Sequence, residues 1–92
     1  MGKMKAEKLY EQLKNMAERM GVSVSEHNLR KAGIPAQSGY CRIKGSPHYI
    51  MDKHLSIHRK NRLLAACLKG MALEEIHMLP AVREYMARIK SD

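Results

Sequence analysis

Ala6, Leu9, Tyr10, Leu13, Met16, Ala17 and Met20 recur every three or four residues, and Lys3, Lys8, Glu11, Lys14 and Glu18 fall largely on other sides. That period predicts an amphipathic helix over residues 3–20. Gly21 follows where a glycine closes a helix in the left-handed conformation. Val22-Ser23-Val24-Ser25 then switches to a period of two, which predicts a short strand. Residues 27–39 keep neither period and are punctuated by Gly33, Pro35 and Gly39, so they read as a long, mobile loop.

Gly39 to Asp52 alternates again and predicts a β-hairpin, with Gly45-Ser46 as its two-residue turn. In that register Lys44 faces Pro47, Arg42 faces Tyr49 and Cys41 faces Ile50. One face then carries Cys41, Ile43, His48 and Ile50, and the other Tyr40, Arg42, Lys44, Tyr49 and Met51. The first, with its two isoleucines, is the expected core face. Ser56 suits the N-cap of a helix running to Lys69, with Ile57, Leu63, Leu64, Cys67, Leu68 and Met71 inward and Gly70 just past its end. Residues 72–79 fit one helical turn or a short strand equally well. Pro80 then opens a last helix to Lys90, with Val82, Met86 and Ile89 inward. The pattern predicts one α+β domain over residues 1–92: three helices packed on a small antiparallel sheet made of the hairpin and one short strand.

Charge changes this picture. The 92 residues carry 17 Lys and Arg against 9 Asp and Glu, a net charge of +8. Residues 1–26 contribute +1 and residues 71–92 contribute −1, while residues 27–70 hold nine basic groups and only Asp52 against them. Four of the five histidines also lie there, so the segment gains charge as the pH falls toward 6. A block of one sign concentrates anionic partners and points to nucleic acid. Tyr40, Arg42, Lys44 and Tyr49 would place stacking rings beside cations on one hairpin face, and Arg59, Lys60 and Arg62 would add phosphate contacts from the following helix. RNA or single-stranded DNA is the expected partner. A second copy of the chain, or another protein bound through a Met-rich surface, is the alternative.

Other chemistry is poorly provided for. His54 and His58 are four apart, but Ser56 as N-cap would leave His54 outside the helix, and no Cys, Asp or Glu at regular spacing completes a metal site. Cys41 with His48 or His58 could imitate a thiol–imidazole pair, although a small strand residue facing inward explains Cys41 as well. Glu74 and Glu75 are adjacent and point apart on a helix. No phosphate-binding glycine loop or nucleophile elbow is present, so neither cofactor nor catalytic residue is expected. No run of about 18 apolar residues exists to span a membrane. Met1 to Lys8 lacks the apolar core of a secretory signal, and two cysteines are too few for a disulfide scaffold. These features predict a cytoplasmic protein with reduced thiols.

From Gly39-Tyr40-Cys41-Arg42-Ile43-Lys44-Gly45, through Leu55-Ser56 opening a helix, to Leu79-Pro80-Ala81-Val82-Arg83-Glu84, the chain resembles a group of small uncharacterised bacterial proteins. That resemblance implies membership of the group and no activity. The helix–strand–hairpin–helix order is also similar to the small zincin-like scaffold of the ImmA/IrrE metallopeptidases, where a helix after the hairpin carries His-Glu-x-x-His. Here that helix reads Leu64-Ala65-Ala66-Cys67-Leu68-Lys69-Gly70, so the resemblance carries over no zinc ligand and no catalytic base.

Overall fold

The computed structural model describes residues 4–29, 39–71 and 77–89. Its elements follow in the order α1 (Ala6–Arg19), β1 (Ser23–His27), β2 (Gly39–Ile43), β3 (Ser46–Asp52), α2 (Ile57–Lys69) and α3 (Pro80–Arg88). The α+β class and the three helices on three strands are as the pattern predicts. The sheet order is β1-β3-β2, with β1 parallel and β2 antiparallel to the central β3, so the sheet is mixed rather than wholly antiparallel. Of the expected loop, His27 belongs to β1 and Leu29 is buried, while residues 30–38 lie outside the described residues. The ambiguous stretch falls partly outside them too, and residues 77–79 form neither helix nor strand.

α1 buries Leu9, Tyr10, Leu13, Met16 and Ala17, the stripe read from its period. Gly21 takes φ +86°, the left-handed closing residue expected of it. Its amide donates to the Glu18 carbonyl at 3.0 Å, and the Val22 amide donates to Ala17 at 2.8 Å, which turns the chain straight into β1. The Ser56 hydroxyl accepts from the Arg59 amide at 3.2 Å and caps α2 as predicted. Gly70 instead keeps right-handed angles, so this glycine is not used for positive φ.

The hairpin departs from its predicted register. The turn is Lys44-Gly45, with φ 52° and 83°, and Ile43 faces Ser46, Arg42 faces Pro47 and Tyr40 faces Tyr49. Two consecutive left-handed residues make a turn whose twist matches that of the strands, which wins over a turn begun by the glycine. Pro47 is accommodated at no cost in hydrogen bonds. Ile43 and Ser46 flank the turn as the bonded pair, so the Pro47 nitrogen points to the other edge, where β1 starts only opposite His48.

The core face is also the reverse of the expected one. Tyr49 is 4% exposed and Met51 is fully buried against Leu13, Leu64, Leu68, Val82 and Met86, whereas Ile43 is 44% exposed. A tyrosine and a methionine fill more of the gap beneath three helices than the isoleucine face would, and on β1 it is Val24 that registers with Tyr49.

Candidate nucleic-acid interface

The first two turns of α2 carry His58, Arg59 and Arg62, and the last turns of α3 carry Glu84, Tyr85 and Arg88. These six side chains line one half-open cleft of about 760 Å³, which the start of α1 and the first turn of α3 also border. Three arginines and a histidine thus meet a single acidic side chain, Glu84, among the described residues of the cleft. No intervening Asp or Glu occupies the start of α2, where the helix dipole would favour one, so the basic cluster stands against the local field rather than with it. Burial pushes the Tyr85 phenol above its usual range, and the neighbouring Arg62 and Arg88 only partly offset this. At neutral pH Tyr85 therefore offers a half-buried ring and an intact hydroxyl in a cleft that Arg62 and Arg88 also line.

Asn61 forms part of the same cleft and is 1% exposed. Its Nδ2 donates to the Ala6 carbonyl at 3.0 Å and ties α2 to the start of α1, while Oδ1 is buried without a partner among the described residues.

The residues singled out in the sequence are distributed over three places. Arg59 and Arg62 stand in the cleft. Tyr40, Arg42 and Lys44 belong to the hairpin, none of them lining it: Tyr40 is 46% exposed on edge strand β2, the Arg42 Nη1 donates to the Gly45 carbonyl at 3.2 Å, and Lys44 is in the turn. Tyr40, Arg42 and Tyr49 do share a face, but it is the one turned toward the helices. Tyr49 is consumed by the core and has no ring face free for a base. Lys60 is drawn inward as well. Its ammonium pairs with Glu26 at 3.0 Å and sits 5.7 Å from the centre of the Tyr10 ring.

Sequence reasoning missed Asn61, Tyr85 and Arg88. The signal for Asn61 was available, because it stands between Ile57 and Leu64 on the apolar stripe of α2. Tyr85 and Arg88 gave none, since the C-terminal segment is acidic by count and only folding brings it against α2.

Cys41 and Cys67 are free, half-buried thiols, and burial raises the Cys67 thiol above its usual range. Among the described residues no three His, Cys, Asp or Glu side chains are grouped to hold a metal ion. No helix among them is long and apolar enough to cross a membrane. No protein family, curated protein sequence or solved structure matches the chain.

Proposed function

We propose that this protein is a cytoplasmic binding module for single-stranded nucleic acid, RNA or DNA, and that the strand lies in the cleft between α2 and α3. The observation that carries this reading is the convergence of Arg59, Arg62 and Arg88 on one cleft beside the half-buried ring of Tyr85. Guanidinium groups neutralise phosphates, and an aromatic face accepts any base by stacking, so the two together suit a flexible strand better than a duplex. Tyr40, Arg42 and Lys44 on the hairpin, apart from the cleft, serve as a second, weaker contact region.

Tyr85→Leu tests the reading, because leucine keeps the packing bulk and removes the stacking face. Fluorescence anisotropy with a labelled single-stranded oligonucleotide should show binding weakened by about 1–3 kcal/mol with little change in salt dependence. Undiminished binding by this variant would exclude the ring from the interface. A second reading, a protein partner, is favoured by Tyr40 and Ile43, which are exposed on β2, an edge strand among the described residues. It predicts association that survives high salt.

A further inference from the structure

Among the described residues β2 forms one edge of the sheet and pairs with β3 on one side only. Ile43 and Ser46 flank the two-residue turn as a bonded pair, so Cys41 with His48 and Gly39 with Ile50 are the next bonded pairs along the ladder. The amides and carbonyls of Tyr40 and Arg42 therefore point away from β3, toward the outer side of the strand. Few of the devices that blunt such an edge are used here. β2 holds no proline, its register with β3 runs unbroken over all five residues, and its one charge is Arg42. β2 packs chiefly on β3, whereas α1 packs on β1 and α2. Tyr40 is 46% exposed and Ile43 is 44% exposed, so two of the three exposed large apolar side chains among the described residues stand on this one strand.

We infer that β2 pairs antiparallel with β2 of a second copy of this chain, about a two-fold axis at Cys41. The strand itself selects this occupant and this register. Two such edges bond only when residues with outward backbone groups, Tyr40 and Arg42, stand opposite one another or opposite themselves. Centring the pair on Arg42 would set two guanidinium side chains face to face. Centring it on Tyr40 would pair only Gly39, Tyr40 and Cys41 of β2. Centring it on Cys41 pairs all five residues. Tyr40 then meets Arg42 of the second copy, Arg42 meets its Tyr40, and each pair exchanges two backbone hydrogen bonds. A ring stands beside a cation at both places. On the other face Ile43 lies over Gly39 of the second copy, which has no side chain to obstruct it. The two Cys41 residues form a non-bonded pair with Cα atoms about 4.5 Å apart. The three-stranded sheet becomes one of six strands, closed by its own symmetry at two copies. No residue lining the cleft belongs to β2, so the pairing stands or falls apart from the nucleic-acid reading. It does engage Tyr40 and Arg42, so the hairpin contact region is fully open only in the single chain.

The test is analytical ultracentrifugation of the full chain, without nucleic acid and in reducing buffer, over a concentration series up to about 1 mM. The expected result is a mass that rises from one chain to two. Tyr40→Lys sets a lysine against Arg42 at both symmetry-related places and should weaken the dimer about 10-fold. Tyr40→Lys/Arg42→Glu sets opposite charges there and should restore it, with both variants checked for an unchanged thermal melt. Cys41 supplies a measurement that leaves the strand otherwise intact. Diamide, which takes up two protons and two electrons as two thiols join, should link two copies of Cys67→Ala through Cys41 and should link none of Cys41→Ser. A monomeric mass at every concentration would overturn the inference and leave the edge to a different protein partner. A dimer that Tyr40→Lys does not weaken, or that diamide does not link through Cys41, would overturn it too, by placing the contact on another surface.

Discussion

Glu26 shows how a charged residue is kept on the helix side of a strand. It registers with the buried Met51, and its carboxylate accepts from the Lys60 ammonium of α2 at 3.0 Å, with the Tyr10 phenol of α1 near enough to act on it although its hydroxyl forms no hydrogen bond among the described residues. Burial works against the carboxylate, but Tyr10 and the ammonium groups of Lys60 and Lys14 outweigh it and hold the Glu26 carboxyl below its ordinary value of 4.5. Burial first, and the neighbouring Glu26 second, hold the Tyr10 phenol well above its usual range. Because the folded value of Glu26 is depressed, its contribution to stability is complete above the unfolded-chain value and is lost as the pH falls through the lower folded one. Melting temperature should therefore decline as the pH drops below 4.5, and Glu26→Gln should flatten that decline. An identical acid limb in the variant would show that Glu26 is not a source of it. Asn61 supplies a second test at this scale. Asn61→Ala removes the bond to Ala6 and leaves a void, and should cost about 1–2 kcal/mol. Asn61→Leu removes the orphan oxygen along with that bond while filling the space, and should be nearer neutral. Urea unfolding of both variants decides, and a leucine variant weaker than the alanine one would contradict the description of this position.

At the level of elements, the hairpin turn carries the sharpest expectation. Gly45 sits at φ +83°, and a Cβ at this position would meet nothing within 4 Å, so any cost of Gly45→Ala is conformational rather than steric crowding. It should be about 1–2 kcal/mol. Lys44→Asn, which places Asn-Gly in the turn, should instead stabilise the protein. Thermal melts of the two variants should move in opposite directions, and a destabilised asparagine variant would argue against the Lys44-Gly45 turn. The helices were legible in the sequence because each pairs a clear period with a stop or cap: Gly21 after α1, Ser56 before α2, Pro80 opening α3. The sheet was less so. Period two separates the hairpin into the correct two sets of residues, but it does not say which set meets the helices. That is decided by the fit of Tyr49 and Met51 against Leu13, Leu64 and Leu68, a long-range packing choice. The parallel pairing of β1 was equally hidden, since strand partners depend on the connection through residues 30–38.

For the whole molecule, the charge block of residues 27–70 overlaps the cleft but does not coincide with it. Folding neutralises Lys60 against Glu26, keeps Arg42 near its own turn, and recruits Arg88 from a segment with net negative charge. Two of the seven residues picked out by composition and spacing, Arg59 and Arg62, stand in the cleft. The remaining half of that site is invisible until α3 packs beside α2. On the proposed reading this cleft, rather than the charge block as a whole, holds the nucleic acid. The most direct measurement is the salt dependence of oligonucleotide binding, read by anisotropy, for the wild type, Arg59→Ala/Arg62→Ala and Arg42→Ala/Lys44→Ala. Removing one phosphate-binding cation lowers the slope of log K against log salt by about 0.7–0.9, so the cleft variant should lose about 1.4–1.8 and the hairpin variant distinctly less. A cleft variant with the wild-type slope, or a wild-type chain that binds nothing at low salt, would show that the cleft does not hold nucleic acid.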